Sequence, residues 1–373
     1  MRIGVPKEVK QAEQRVGLTP GSVREAVGHG HHVVVETMAG AGIAATDDAY
    51  RAAGATIAPD AATVFEQADL IVKVKEPQAL ERQMLRPGQT LFTYLHLAPD
   101  PDQANDLIAS GAVCIAYETV TDDRGQLPLL APMSKVAGRM SVQAGAHSLE
   151  APQGGSGLLI GGVPGVAPAK VVIIGGGVVG VNATEIAVGM GADVVVLDRC
   201  LPVLDALSAR FGPAISTVYS TTAALEDHVL DADLVIGAVL VKGARAPKLV
   251  SAAMVKEMRL GSVLVDVAID QGGCMETSRP TTHSHPTFVV DGVVHYAVAN
   301  MPGAVPRTST YALNNATLPF VLALADKGVK QALADDRDLL NGLNVSRGAV
   351  TEQAVAHALG LDYVDPELAL GSI

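Results

Sequence analysis

Ten residues, Val171-Val172-Ile173-Ile174-Gly175-Gly176-Gly177-Val178-Val179-Gly180, run from a β-branched stretch through glycines into a helical pattern. A second apolar run, residues 194–197, then closes on Asp198. Strand, glycines, helix, strand and acid in this order predict a βαβ unit that holds a dinucleotide. Gly175 permits the tight turn, Gly177 lets backbone approach a pyrophosphate, and Gly180 lets helix and strand pack closely. The unpaired N–H groups at the start of the helix attract the phosphates. Asp198, 18 residues past Gly180, can accept hydrogen bonds from an adenosine ribose.

Four further positions carry groups suited to chemistry. In Leu70-Ile71-Val72-Lys73-Val74-Lys75 two lysines at i and i+2 share one face of an apolar strand, and buried ammonium groups need partners. Lys75, near the carboxyl end of that strand, suits a substrate carboxylate; the alternative is an edge strand with solvated lysines. Arg15 alone reads as an exposed surface arginine, although its planar fork would suit a carboxylate if it faced a ligand. His96 ends the apolar run 91–95, and an imidazole is a side chain suited to proton transfer near neutrality; a structural histidine fits that place equally well. Asp270 closes 263–270 ahead of Gln271-Gly272-Gly273, where a carboxylate can orient water or ammonia beside the nicotinamide end of a dinucleotide, or merely cap a turn.

These groups need a scaffold, and the apolar runs predict one. Strands at 2–5, 32–36, 70–75, 90–95 and 113–117 alternate with helical segments such as 22–28 and 101–109, which predicts a parallel sheet covered on both faces. A helix over 132–149 follows, then a second α/β unit with strands near 171–174, 194–198, 233–238, 262–267, 287–290 and 294–299. Helix 309–325, with a bend at Pro319, and short terminal helices return the chain to the first domain. The fold class is therefore α/β, two doubly wound domains, with a Rossmann nucleotide-binding domain (129–306) inserted in a discontinuous substrate domain (1–128 and 307–373). Two crossings between the domains would form a hinge and a cleft, a usual place for small ligands.

Composition narrows the partners. The chain has 373 residues, 49% hydrophobic, with mean hydropathy +0.30, yet its most apolar region, 158–197, is broken by prolines, charges and glycines and reads as buried strands, not a membrane span. With 27 basic and 39 acidic residues, a net charge of -12 offers no attraction to nucleic acid or anionic lipid. No secretory leader precedes the first strand, so a cytoplasmic location is expected. Cys114, Cys200 and Cys274 lack metal-ligand spacing and read as reduced, mostly structural thiols.

Together these residues resemble the L-alanine dehydrogenases along essentially the whole chain. The segments that carry the resemblance are residues 2–8 with 13–19, Val72-Lys73-Val74-Lys75-Glu76-Pro77, Leu95-His96-Leu97, Ala116-Tyr117-Glu118-Thr119, Leu130-Ala131-Pro132-Met133-Ser134 and Gly161-Gly162-Val163-Pro164-Gly165. Residues 236–240, Asp270-Gln271-Gly272-Gly273 and Val298-Ala299-Asn300-Met301-Pro302 complete them. The resemblance implies a reversible reaction in which L-alanine, NAD and water give pyruvate, ammonium and NADH. It implies that Arg15 and Lys75 hold the carboxylate, that His96 is the acid/base at the pyruvate oxygen and that Asp270 positions water or ammonia. It implies cofactor contacts from Ser134, Gly175, Gly177, Val178, Val179, Gly180, Asp198, Ser220, Val239, Leu240, Val267, Ala268, Ile269, Asp270, Arg279, Val298, Ala299, Asn300 and Met301, and a homohexamer.

Two departures bear on the cofactor and on metal. Val203 stands where relatives often carry a basic residue after the ribose acid, and Arg199 instead follows Asp198 directly. Asp198 repels a 2′-phosphate, so NAD is expected over NADP. Some relatives bind magnesium through an acid and a histidine at positions matching Asp326 and Lys327; a lysine cannot serve in the same way, and no metal is assigned. The nearest rival is the nucleotide-binding domain of a nicotinamide nucleotide transhydrogenase alpha subunit, which has no amino-acid substrate. A non-catalytic NAD sensor is a third reading. The set Arg15, Lys75, His96 and Asp270 favours a substrate site over both.

Overall fold

Buried β-branched runs form the centre of each of two units, Met1–Met133 with Val305–Ile373 and Ser134–Ala304. The computed structural model describes residues 1–239, 246–371 and 373. The first unit opens with β1 (Arg2–Val5), β2 (His32–Glu36), β3 (Thr56–Ala58), β4 (Leu70–Val72), β5 (Thr90–Thr93) and β6 (Val113–Ala116). The chain then makes β7 (Lys170–Ile174), β8 (Asp193–Asp198), β9 (Ile215–Tyr219), β10 (Leu234–Gly237), β11 (Val263–Asp266), β12 (Thr287–Val290) and β13 (Val293–Tyr296) of the second unit. It ends in the first unit with β14 (Leu343–Ser346) and β15 (Ala349–Val350).

The first sheet runs β15-β14-β6-β5-β4-β1-β2-β3 and is parallel from β6 to β3, with β14 and β15 antiparallel. The second runs β12-β13-β11-β10-β7-β8-β9 and is antiparallel only between β12 and β13. Every residue of β4, β5, β6, β10 and β11 is buried, as befits apolar runs without alternation in strands covered on both faces. In the second sheet the order turns back at β7, which has β8 on one side and β10 on the other, and such a switch point opens a crevice at the carboxyl ends of the strands.

Several expected strands end early. The ladder of β4 stops at Val72, so Lys73 and Lys75 lie beyond it; β5 stops at Thr93 and β13 at Tyr296. Apolar sequence continues past each ladder because the following turns are buried too. The 22-residue helix Pro306–Lys327 runs on through Pro319. Its buried Asn314 accepts from the Thr19 amide (2.7 Å) and the Ser22 hydroxyl (2.8 Å) and donates to the Gly17 carbonyl (3.0 Å), which fastens the segment that follows Arg15. Among the described residues no helix is long and apolar enough to cross a membrane. All three cysteines are free; Cys114 and Cys274 are buried, and burial pushes the Cys114 thiol up to about 12.

Candidate active site

The glycine turn fits a dinucleotide. Gly175 has φ +103°, and a Cβ there would meet the Ala238 carbonyl oxygen at 2.7 Å. A Cβ on Gly180 would lie 1.8 Å from the Gly175 oxygen, whereas one on Gly177 would meet nothing within 4 Å. The turn is thus closed behind the loop and open at Gly177, where helix Val178–Gly189 starts with no side chain capping it. Asp198 Oδ2 accepts the Gly176 amide at 2.7 Å and Oδ1 the Cys200 amide at 2.8 Å, so this carboxylate braces the loop.

The other expected cofactor residues follow the carboxyl ends of strands of the same sheet. Ser220 follows β9 and donates its amide to the Asp198 carbonyl (2.9 Å). Val239 follows β10, and Leu240 lies outside the described residues. Val267, Ala268, Ile269 and Asp270 form a 3-10 turn after β11, and Val298, Ala299, Asn300 and Met301 follow β13, with Asn300 at φ +60°. Arg279 lays its guanidinium 4.5 Å over the Phe288 ring. Ser134 is the first residue of the unit. Buried Asp266 accepts the amides of Cys274 and Met275 (3.2 Å each), closing the loop that presents exposed Asp270. Asp266 carries no sequence motif of its own.

Arg15, Lys75 and His96 belong to the first unit: Lys75 and His96 come shortly after β4 and β5, and Arg15 lies in the long loop between β1 and the helix Pro20–Gly28. Arg15 is no surface residue: it is 2% exposed. Its Nε and Nη2 donate to Glu13 Oε1 (2.7 Å) and Oε2 (2.6 Å), and Nη1 points at Met133 Sδ (3.1 Å). Burial pushes the Glu13 carboxyl up, but the hydrogen bonds and charge of Arg15, with Lys75 adding to them, outweigh it and bring Glu13 down to about 2. The edge-strand alternative for the lysines is also overturned, since β4 lies between β1 and β5. Lys73 is fully buried between Glu8 and Glu81, while the Lys75 ammonium stands 4.0 Å from Glu76.

His96 sits at φ +49°, a conformation few non-glycine residues adopt, so its turn must be held from outside. Glu118, just past β6, accepts the amides of Leu95 (3.1 Å) and His96 (2.5 Å), and the His96 Nδ1 lies 3.6 Å from the same carboxylate oxygen. Tyr94 stacks on the imidazole, with centroids 5.8 Å apart and planes 3° from parallel, and anchors its hydroxyl on the Leu129 carbonyl (2.6 Å). Glu13, Tyr94 and Glu118 therefore orient the site, although sequence reasoning gave them no role. The signal available was position: Glu118 and His96 each follow a buried strand. Asp326 receives His29 Nδ1 (3.0 Å) and His31 Nε2 (2.7 Å), with Lys327 paired instead to Asp335.

Two doubly wound units, one with a glycine turn shaped for a dinucleotide and one with an arginine, a lysine and a histidine in the loops that follow its strands, define a two-domain nucleotide-dependent oxidoreductase. Family models agree: "Alanine dehydrogenase/PNT, N-terminal domain" matches residues 4–137 and "Alanine dehydrogenase/PNT, C-terminal domain" matches 141–353. The chain belongs to the alanine dehydrogenase/PNT family. It is 61% identical over 371 residues to an alanine dehydrogenase of Halomonas elongata, covering 100% of both chains. A solved L-alanine dehydrogenase superposes with TM-score 0.94 at 52% identity, over 96% of this chain and 99% of that one. A transhydrogenase of Sinorhizobium meliloti gives 0.81 at 25%, over 95% and 100%. Identity over the full length thus favours the alanine dehydrogenase branch over the transhydrogenase one, and the nucleotide-binding domain implies a nicotinamide cofactor.

Proposed function

We propose that the chain catalyses the reversible NAD-dependent oxidative deamination of L-alanine to pyruvate and ammonium. One observation carries the proposal: a buried arginine, a lysine and a strained, braced histidine lie in the loops that follow the strands of one sheet, in a chain similar over its full length to alanine dehydrogenases. Bound NAD supplies the acceptor for the hydride that leaves the alanine Cα. Arg15 and Lys75 bind the substrate carboxylate and so fix Cα, and positioning of this kind supplies a large part of many rate enhancements. His96 gives and takes the proton at the oxygen that becomes the pyruvate carbonyl, with Glu118 and Tyr94 holding its ring. Asp270 orients the attacking water in one direction and ammonia in the other.

Ser134, the glycine turn with Val178 and Val179, Asp198, Ser220, Val239, Leu240, residues 267–270, Arg279 and residues 298–301 hold the cofactor. The Asp198 carboxylate selects NAD by repelling a 2′-phosphate, and equal kcat/KM for NAD and NADP overturns that preference. Incubating the purified chain with L-alanine and NAD tests the activity, with NADH absorbance and pyruvate measured together. NADH and pyruvate in equal amounts are expected; no product from alanine, together with hydride exchange when NADPH is supplied beside NAD, would mean a transhydrogenase. The proposal also makes the protein a cytoplasmic homohexamer, which light-scattering mass and cell fractionation check.

A further inference from the structure

Lys73 and its two carboxylates take no part in the chemistry above, yet they adjoin it. The Lys73 Nζ donates to Glu8 Oε2 at 3.1 Å and to Glu81 Oε1 at 2.7 Å, and all three side chains are almost wholly buried. Such a triad carries a desolvation cost that apolar side chains of the same volume would avoid, so fold stability alone is a weak reason for it. The two acids differ in what else they hold. Glu81 Oε2 receives the Gln78 amide (2.7 Å) and closes the first turn of its own short helix, Ala79–Arg82. Glu8 Oε1 receives the amides of Val74 (2.7 Å) and Lys75 (3.3 Å), the peptide groups from which the Lys75 side chain departs.

The need for that carboxylate follows from the sheet. β1 pairs with β4 through Ile3 and Gly4 and ends at Val5, where Pro6 stops the ladder. Beyond that point residues 74 and 75 have lost the neighbouring strand, and the Glu8 side chain stands in for it. The carbonyls of the same stretch are held as well. Tyr117 donates its hydroxyl to Lys73 (3.0 Å), the Tyr94 amide donates to Val74 (3.3 Å) and the Thr93 hydroxyl to Lys75 (2.9 Å). Among these holders Glu8 alone brings a charge, and Lys73 fixes where that charge sits.

We infer that Glu8, anchored by Lys73, is a positioning residue for the substrate: by gripping the Val74 and Lys75 amides it sets the direction in which the Lys75 ammonium meets the carboxylate of alanine or pyruvate. This rests on the role given to Lys75 above. Glu8→Gln exposes it, because an amide side chain has one oxygen. That oxygen can receive the backbone amides or face Lys73, and the NH2 then opposes another donor. Glu81→Gln imposes the same conflict on the same lysine but leaves the Val74 and Lys75 amides their acceptor. It reports the loss of charge and of stability without the loss of aim.

The experiment is steady-state reduction of pyruvate by the full chain, with a thermal melt, for the wild type, Glu8→Gln, Glu8→Asp, Glu81→Gln and Lys75→Ala. Glu8→Gln is expected to raise the KM for pyruvate about tenfold or more, the scale of a lost charge-assisted hydrogen bond, with the KM for NADH unmoved. Glu81→Gln is expected to lower the Tm while its pyruvate KM stays within about twofold. Should Glu8→Gln fail to fold, Glu8→Asp keeps the charge, withdraws it by one methylene and should raise the same KM less. Equal KM changes in Glu8→Gln and Glu81→Gln, or none in a folded Glu8 variant, overturn the positioning role. An unchanged pyruvate KM in Lys75→Ala overturns the carboxylate site itself, and the inference with it. A raised KM there beside an unchanged one in the Glu8 variants removes Glu8 alone.

Discussion

Acid should unfasten Arg15, and Glu13 gives the amount. Its carboxyl falls from the ordinary 4.5 to about 2 in the folded chain. Because the folded value is depressed, the unfolded chain binds the proton first as pH falls. The stabilisation is therefore complete well above 4.5 and is lost as pH drops toward 2. At about 1.4 kcal/mol per pH unit the interval amounts to roughly 3 kcal/mol, of which about 2 should be gone by about pH 3. Solvent screening takes little from this, since the Arg15 and Glu13 side chains are 2% and 1% exposed.

Glu13→Gln keeps the size and removes the titration. Urea unfolding of wild type and variant, followed by circular dichroism between about pH 7 and about pH 3, isolates the group because the other carboxyls cancel in the difference. The wild type's advantage should shrink by about 2 kcal/mol across that range. A pH-independent difference would refute the reasoning. The variant should also bind pyruvate less well, since the arginine fork loses its brace.

Three further outcomes are expected. His96→Ala should lower kcat about 10²- to 10⁴-fold while the NADH Kd, read by fluorescence titration, is nearly unchanged; normal turnover would remove His96 from the mechanism. Asp198→Ala strips the Gly176 and Cys200 amides of their acceptor as well as the ribose of its partner, so the KM for NAD should rise about tenfold or more with that for alanine nearly constant. An unmoved cofactor KM would mean that the ribose is held elsewhere. Gly180→Ala pushes a methyl into the Gly175 carbonyl and should cost about 2 kcal/mol or more along with NADH affinity, and wild-type NADH binding would contradict the packing assigned to that glycine.

Much of the second sheet was legible because its central strands are short, apolar and buried on both faces, so that the runs 171–174, 194–198, 233–238 and 262–267 stand out between polar turns. The strands that escaped lack that contrast. β9 is a half-exposed edge strand, β3 has three residues, and β14 and β15 pair antiparallel beside β6 with buried Asn344 and Ser346 among them. Non-local pairing rescues such segments, and a local pattern does not register it.

The amino-acid order by itself determined the glycine turn and the buried central strands, and it singled out Arg15, Lys75, His96, Asp198 and Asp270, because turn sterics and apolar periodicity are local properties. Only the tertiary structure decided what those groups touch. Arg15 reads as a surface residue until Glu13 and Met133 close around it, and Lys73 and Lys75 look equivalent until Glu8 and Glu81 bury the first between them, while the ammonium of the second stands near Glu76. His96 looks ordinary until the amides gathered by Glu118 reveal its left-handed turn. Charge pairing in a buried site depends on distances between residues far apart in the chain, and folding alone sets those.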